Sequence, residues 1–142
     1  MPSPPRPDDW RVAVWRRFLT TQASVVRELE RDTDLPLAWY DVLLQLAEAP
    51  GRRLRMAELA DRVVLSRSGL SRLVDRLVAE GFVRRERSAD DARGTYTVLL
   101  PAGVARFRRA VPAHLASIER HFLSRFDDDQ LRELDALLAR LE

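Results

Sequence analysis

The chain has 142 residues, 46% of them apolar, a net charge of +2 and no cysteine. Length and apolar content suit one compact domain or two small intergrown ones. The missing cysteines exclude a disulfide framework, a thiolate metal site and a thiol redox switch. No stretch approaches the ~18 uninterrupted apolar residues of a membrane span. The start, Met1-Pro2-Ser3-Pro4-Pro5-Arg6-Pro7, is not a basic segment followed by an apolar run, so a cytoplasmic location is expected. All 24 basic residues are arginine. Residues 51–94 hold eleven arginines against seven acids, whereas the remainder holds thirteen against fifteen. Positive charge therefore concentrates in the middle third, on a side chain whose planar fork suits phosphate and guanine.

In chain order, the prolines between 2 and 7 predict a short arm over residues 1–8. Asp8 or Asp9 then caps a long helix over 9–31, with Trp10, Val14, Phe18, Val25 and Leu29 at near-helical spacing. Asp34-Leu35-Pro36 starts a second helix that runs to 49, where Pro50-Gly51 ends it. A short third helix is predicted over 56–63, although Arg55 at its expected cap position is a poor N-cap residue. Val64-Leu65-Ser66 forms a turn into a fourth helix over 67–80, which Gly81 terminates. Residues 82–87 and 95–100 alternate partially and read as two strands around a polar tip, 88–94. A fifth helix is predicted over 101–126, kinked at Pro112. Asp127-Asp128-Asp129-Gln130 caps a sixth, with Leu131, Leu134, Leu137, Leu138 and Leu141 on one stripe.

The order short helix, turn, helix, hairpin carries the functional reading. In the fourth helix Leu70, Leu73, Val74 and Leu77 lie at i, i+3, i+4 and i+7, while Arg67, Ser68, Ser71, Arg72, Asp75 and Arg76 take much of the other face. A helix anchored by leucines that presents arginine and serine can lie in the major groove, where arginine bonds O6 and N7 of guanine. Gly69 would let the helix start approach the DNA backbone closely. Arg84, Arg85, Arg87 and Arg93 lie on or beside the ribbon that follows, placed to reach the minor groove.

Ser66 to Leu77, followed by Glu80-Gly81-Phe82-Val83-Arg84-Arg85, resembles the recognition helix and first wing strand of MarR-type regulators. Asp91-Ala92-Arg93-Gly94 resembles that family's D-x-R wing motif. Leu99-Leu100-Pro101-Ala102-Gly103 resembles its "LTPxG" junction, with Leu100 where threonine is common. The resemblance implies a mainly α fold with a small β-hairpin wing: a winged helix-turn-helix over 35–100, flanked by dimerisation helices over 9–34 and 101–142. It implies Arg93 as the minor-groove arginine, Asp91 as its positioning partner, and Arg67, Ser68, Ser71, Arg72 and Arg76 on the groove-facing helix; Arg85 and Arg87 of the ribbon are further expected DNA-binding residues. The implied function is a homodimeric transcriptional regulator, a repressor, on a pseudo-palindromic operator. A small aromatic or phenolic ligand is the implied effector, with Trp15, Phe18, Trp39 and Tyr40 as lining residues. The alternative is a winged-helix module that binds protein rather than DNA. The chain carries no nucleophile elbow, no phosphate-cradling glycine loop and no metal-ligand spacing, so neither catalysis nor a cofactor nor a metal is expected.

Overall fold

A computed structural model describes residues 3–64, 69–90 and 94–142. Their elements, in chain order, are α1 (Trp10–Asp32), α2 (Leu37–Glu48), β1 (Arg53–Arg55), α3 (Met56–Arg62), α4 (Leu70–Ala79), β2 (Val83–Arg87), β3 (Thr95–Leu99), α5 (Pro101–His121) and α6 (Asp128–Leu138). This is the mainly helical winged helix-turn-helix expected from the sequence. The chain divides into two compact units, one covering Thr33–His114 and the other the chain through Asp32 together with Leu115–Glu142.

The first unit is built around α2. Val42, Leu43 and Leu46 of that helix are essentially sealed from solvent, with Leu59 of α3, Val74 and Leu77 of α4, and Val83 of β2. Each such side chain contributes about 1.5–3 kcal/mol relative to an exposed one. The strands form one antiparallel sheet in the order β1-β3-β2, with Leu54 opposite Thr97 and Arg85 opposite Thr97 on the other side. The sequence predicts two of these strands. The third, β1, is only three residues long, too short to show an alternation, and exists because β3 offers it a free edge. Arg55 does precede α3, and its side chain makes no cap. The helix is capped from inside instead: the Glu58 carboxylate accepts the Arg55 N–H at 3.0 Å.

Two turns fix the path into the wing. At the end of α4 the Phe82 N–H reaches the Leu77 carbonyl and the Gly81 N–H reaches the Val78 carbonyl, both at 3.0 Å, with Gly81 at φ +74. This pair of bonds is a Schellman closure, which needs the left-handed residue that glycine supplies at least cost. The Leu100 N–H then bonds the Phe82 carbonyl at 2.9 Å, drawing the start of α5 against the end of α4.

In the second unit, Asp9 caps α1 as expected, accepting the Arg11 N–H at 2.9 Å. Asp127 and Gln130 form the expected reciprocal capping box at the start of α6, with bonds of 2.9 and 3.0 Å. The fifth helix is shorter than the predicted 101–126. It runs unbroken through Pro112 but ends at His121, where Phe122 leaves helical geometry (φ −131, ψ −66) and its ring packs edge-on against Phe126. The end of α1 is tied by one carboxylate: Asp32 Oδ2 accepts from Ser117 at 2.8 Å and Arg120 at 3.0 Å, and lies 2.9 Å from His121 Nε2. The Ser117 hydroxyl, then His121, hold the Asp32 carboxyl below the usual carboxylate range. A carboxyl lowered in this way stabilises the fold above its unfolded pKa, and the contribution is lost as pH falls through the lowered value. Asp32→Asn is therefore expected to flatten the acid limb of Tm against pH. Superimposable acid limbs for variant and wild type would remove the hub from the stability of this unit.

Candidate nucleic-acid interface

The geometry of α4 separates anchor from presentation. Leu70, Val74 and Leu77 are buried and Leu73 is half-buried, while Ser71, Arg72, Asp75 and Arg76 are exposed. Arg72 and Arg76 are one turn apart, and neither forms a salt bridge among the described residues. Two unneutralised guanidinium groups on one exposed helix face are suited to phosphate oxygens or guanine edges.

The helix begins later than predicted. Gly69 stands before it at φ +79, ψ 5, a left-handed conformation that a right-handed helix cannot include. The predicted span 67–80 is corrected accordingly. A Cβ on Gly69 would meet nothing within 4 Å, so its own fold demands glycine for the backbone angle and not for space. Arg67 and Ser68, both predicted DNA contacts, lie outside the described residues, as does Ser66.

Arg85 makes ties within the fold that the sequence does not show. Its guanidinium pairs with the Asp75 carboxylate and donates to the Ser71 carbonyl at 3.1 Å, both on α4. It clamps β2 to the recognition helix. Asp75 thus belongs to the site as the anchor of that clamp. Strand parity carries the signal: Val83 faces the core, so residue 85 shares its side of the sheet and meets α4. Arg84 faces the opposite way, where Glu86 pairs with both Arg84 (2.6 Å) and Arg53 (3.2 Å). Arg53 and Arg55 also stand over the Tyr96 ring, 4.4 and 5.1 Å from its centroid.

Arg87 ends β2, exposed and without a salt bridge among the described residues. Beyond it the ribbon is closed by a 2.9 Å bond from the Ser88 N–H to the Gly94 carbonyl, and the Asp90 N–H turns back to the Ser88 hydroxyl at 3.3 Å. Ser88 is itself buried. Asp91 and Arg93, the predicted wing-tip pair, lie outside the described residues.

The predicted ligand-lining aromatics fall in both units. Trp15 and Phe18 are exposed on α1 and stack with centroids 6.0 Å apart. Phe18 lines an apolar groove of about 440 Å³ with Val14, Val25, Phe122, Leu134 and Leu138. Trp39 meets Phe82 edge-on at 6.4 Å. Tyr40 is buried, stacked on His114 at 3.8 Å and tilted against Phe107 at 5.1 Å. Burial pushes the Tyr40 hydroxyl up and the His114 imidazole down, and His114 Nδ1 is buried without a hydrogen bond among the described residues. Tyr40 belongs to the core of this unit, and His114 stacks on it half-buried.

A model of the MarR family matches residues 33–94. An uncharacterised HTH-type transcriptional regulator of Bacillus anthracis is 34% identical over 117 residues, covering 82% of this chain and 73% of the relative. The chain belongs to the MarR family. As a MarR-family protein it is a winged helix-turn-helix transcriptional regulator. The crystal structure of AbsC, a MarR family transcriptional regulator from Streptomyces coelicolor, is similar with a TM-score of 0.87 at 33% identity, covering 97% of this chain and 95% of AbsC. Sco3205, a MarR family transcriptional regulator of the same organism determined in complex with DNA, is similar with a TM-score of 0.85 at 33% identity, covering 99% of this chain and 91% of Sco3205. No helix among the described residues is long and apolar enough to cross a membrane.

Proposed function

We propose that this MarR-family chain is a cytoplasmic homodimeric repressor that reads a pseudo-palindromic operator through α4 and the wing. The observation that carries this reading is the exposed pair Arg72 and Arg76, with Ser71, on a helix whose opposite face is sealed into the core and whose flank is clamped by Arg85. Such a helix holds its base-reading side chains in one place, which specific contact requires and phosphate attraction alone does not. Arg67, Ser68, Arg87 and Arg93 complete the surface, with Asp91 positioning Arg93. Arg85 serves it as the clamp.

The helices over 9–34 and 101–142 form the dimer. Trp10 is 74% exposed and Leu141 78%, and Trp15, Phe18, Leu137 and Leu138 are also exposed. A second copy is the natural cover for apolar surface of this extent. Two recognition helices related by a two-fold axis would meet half-sites about one helical turn apart. Bound across a promoter, the dimer excludes polymerase, hence repression. A small aromatic or phenolic effector would release the DNA.

Footprinting and a single substitution test the reading. A symmetric two-half-site footprint is expected, and protection of one half-site at saturation would contradict it. Arg93→Ala is expected to weaken operator binding by roughly 1–3 kcal/mol, the usual worth of a specific base contact. Operator affinity equal to wild type at the same salt would remove Arg93 from the interface.

A further inference from the structure

We propose that Asp41, a residue of α2 far in sequence from the recognition helix, is a positioning residue for DNA recognition: its carboxylate latches the chain as it leaves α3 for α4. Asp41 is only 9% exposed and is followed directly by buried Val42 and Leu43. A carboxylate in such a place is costly unless its oxygens are satisfied. Its Oδ2 accepts the Val64 N–H at 2.7 Å, across 23 residues of sequence.

The position of that bond gives it a purpose. The Val63 N–H still bonds the Leu59 carbonyl at 3.0 Å, closing α3, and Val63 is already extended at φ −69, ψ 133. Val64 is thus the first residue beyond the reach of the helix, and its side chain is 82% exposed. Burial of that side chain does not hold the backbone, so the carboxylate does. Downstream, α4 is anchored from its first residue, Leu70, which is 6% exposed. Asp41 therefore holds the backbone at Val64, three residues before Arg67 in sequence. The leucine face and the Arg85 clamp hold α4 downstream. Without the latch, α4 keeps its packing but the chain leaving α3 is no longer held at Val64. Specific readout, which depends on placement, weakens. Non-specific attraction, which depends on charge, does not.

This inference rests on the DNA-reading function proposed above, and its test separates the two. Asp41→Asn and Asp41→Ala remove the same negative charge, but only alanine removes the acceptor. Full-length wild type and both variants are compared at one near-physiological salt for affinity to operator and to non-specific duplex, and for amide hydrogen exchange at Val64. Asp41→Ala should lose about tenfold in operator affinity, as for one hydrogen bond to a charged group, with non-specific affinity unchanged. Its Val64 amide should exchange at least about tenfold faster, while Asp41→Asn stays close to wild type on both measures. Where Asp41→Ala does not fold, Val64→Pro removes the donor instead. The extended Val63 backbone accommodates a following proline, and the same selective loss is expected. Unchanged Val64 exchange in Asp41→Ala overturns the latch, as does an equal fall in operator and non-specific affinity in either acceptor- or donor-less variant. Should wild type itself show no operator preference, the DNA-reading function fails while the exchange data still judge the latch.

Discussion

Leu77→Ala is expected to cost about 2–5 kcal/mol in stability and to abolish operator binding at temperatures where the wild type still binds. Leu77 is fully buried, and it belongs both to the core of the winged unit and to the inner face of α4. Truncation removes three carbon atoms from a packed interior and leaves a cavity that the surrounding helices close only in part. The choice of α4 matters. The same truncation at a buried leucine of α2, such as Leu43, should cost similar stability, but it does not loosen the element that carries Arg72 and Arg76. Denaturant midpoints give the stability loss, and operator titration below the variant's Tm gives the functional loss. A Leu77→Ala protein as stable as wild type would contradict the packing described here.

Gly103→Ala is expected to destabilise by about 3 kcal/mol, lowering Tm by on the order of 10 °C. The sign is the informative part. Glycine to alanine inside a helix ordinarily stabilises, by up to about 1 kcal/mol. Gly103 sits in the first turn of α5, and a Cβ there would lie 2.2 Å from the Phe82 carbonyl oxygen and 2.7 Å from Leu99 Cδ1. The oxygen cannot withdraw cheaply, because it accepts the Leu100 N–H that draws α5 against the end of α4. Alanine must therefore push α5 away from the Phe82 turn or break that bond. Thermal unfolding of the variant measures this directly, and a Tm at or above wild type would show that the contact is looser than described.

The parts of this fold that were legible in the sequence are those with a period. The leucine spacing of α4 and the apolar run of α2 announce their buried faces, and the Asp127–Gln130 capping box announces the start of α6. Three kinds of feature were not legible. A three-residue strand such as β1 carries no alternation and is defined by its partner β3, which follows only after α3, α4 and β2 in the chain. The end of α5 at His121 has no glycine or proline to mark it, and the Phe122 and Phe126 rings pack edge-on just beyond it.

Long-range polar ties form the third kind. Arg85 reads as a DNA contact from its place on the ribbon, and nothing in the sequence shows that its guanidinium also ties to Asp75 and the Ser71 carbonyl of α4. Asp41 stands in the run Leu37-Ala38-Trp39-Tyr40-Asp41-Val42-Leu43 as a charged residue where only apolar ones pack. That anomaly is itself a signal: a carboxylate in an apolar run implies a buried donor somewhere, though not that the donor is Val64. Gly69 shows the reverse case. Its presence was legible and its reason was not, because open space around it and a left-handed φ look the same in sequence as a close approach.

Sequence-specific DNA recognition here depends on a helix held in one place. Selection of bound fragments from the source genome by the purified full-length protein, near physiological salt, tests it most directly, since lower salt inflates phosphate binding of any basic surface. Enrichment of a small set of fragments sharing a pseudo-palindrome with half-sites about one helical turn apart is expected. Recovery of fragments in proportion to bulk DNA would contradict it.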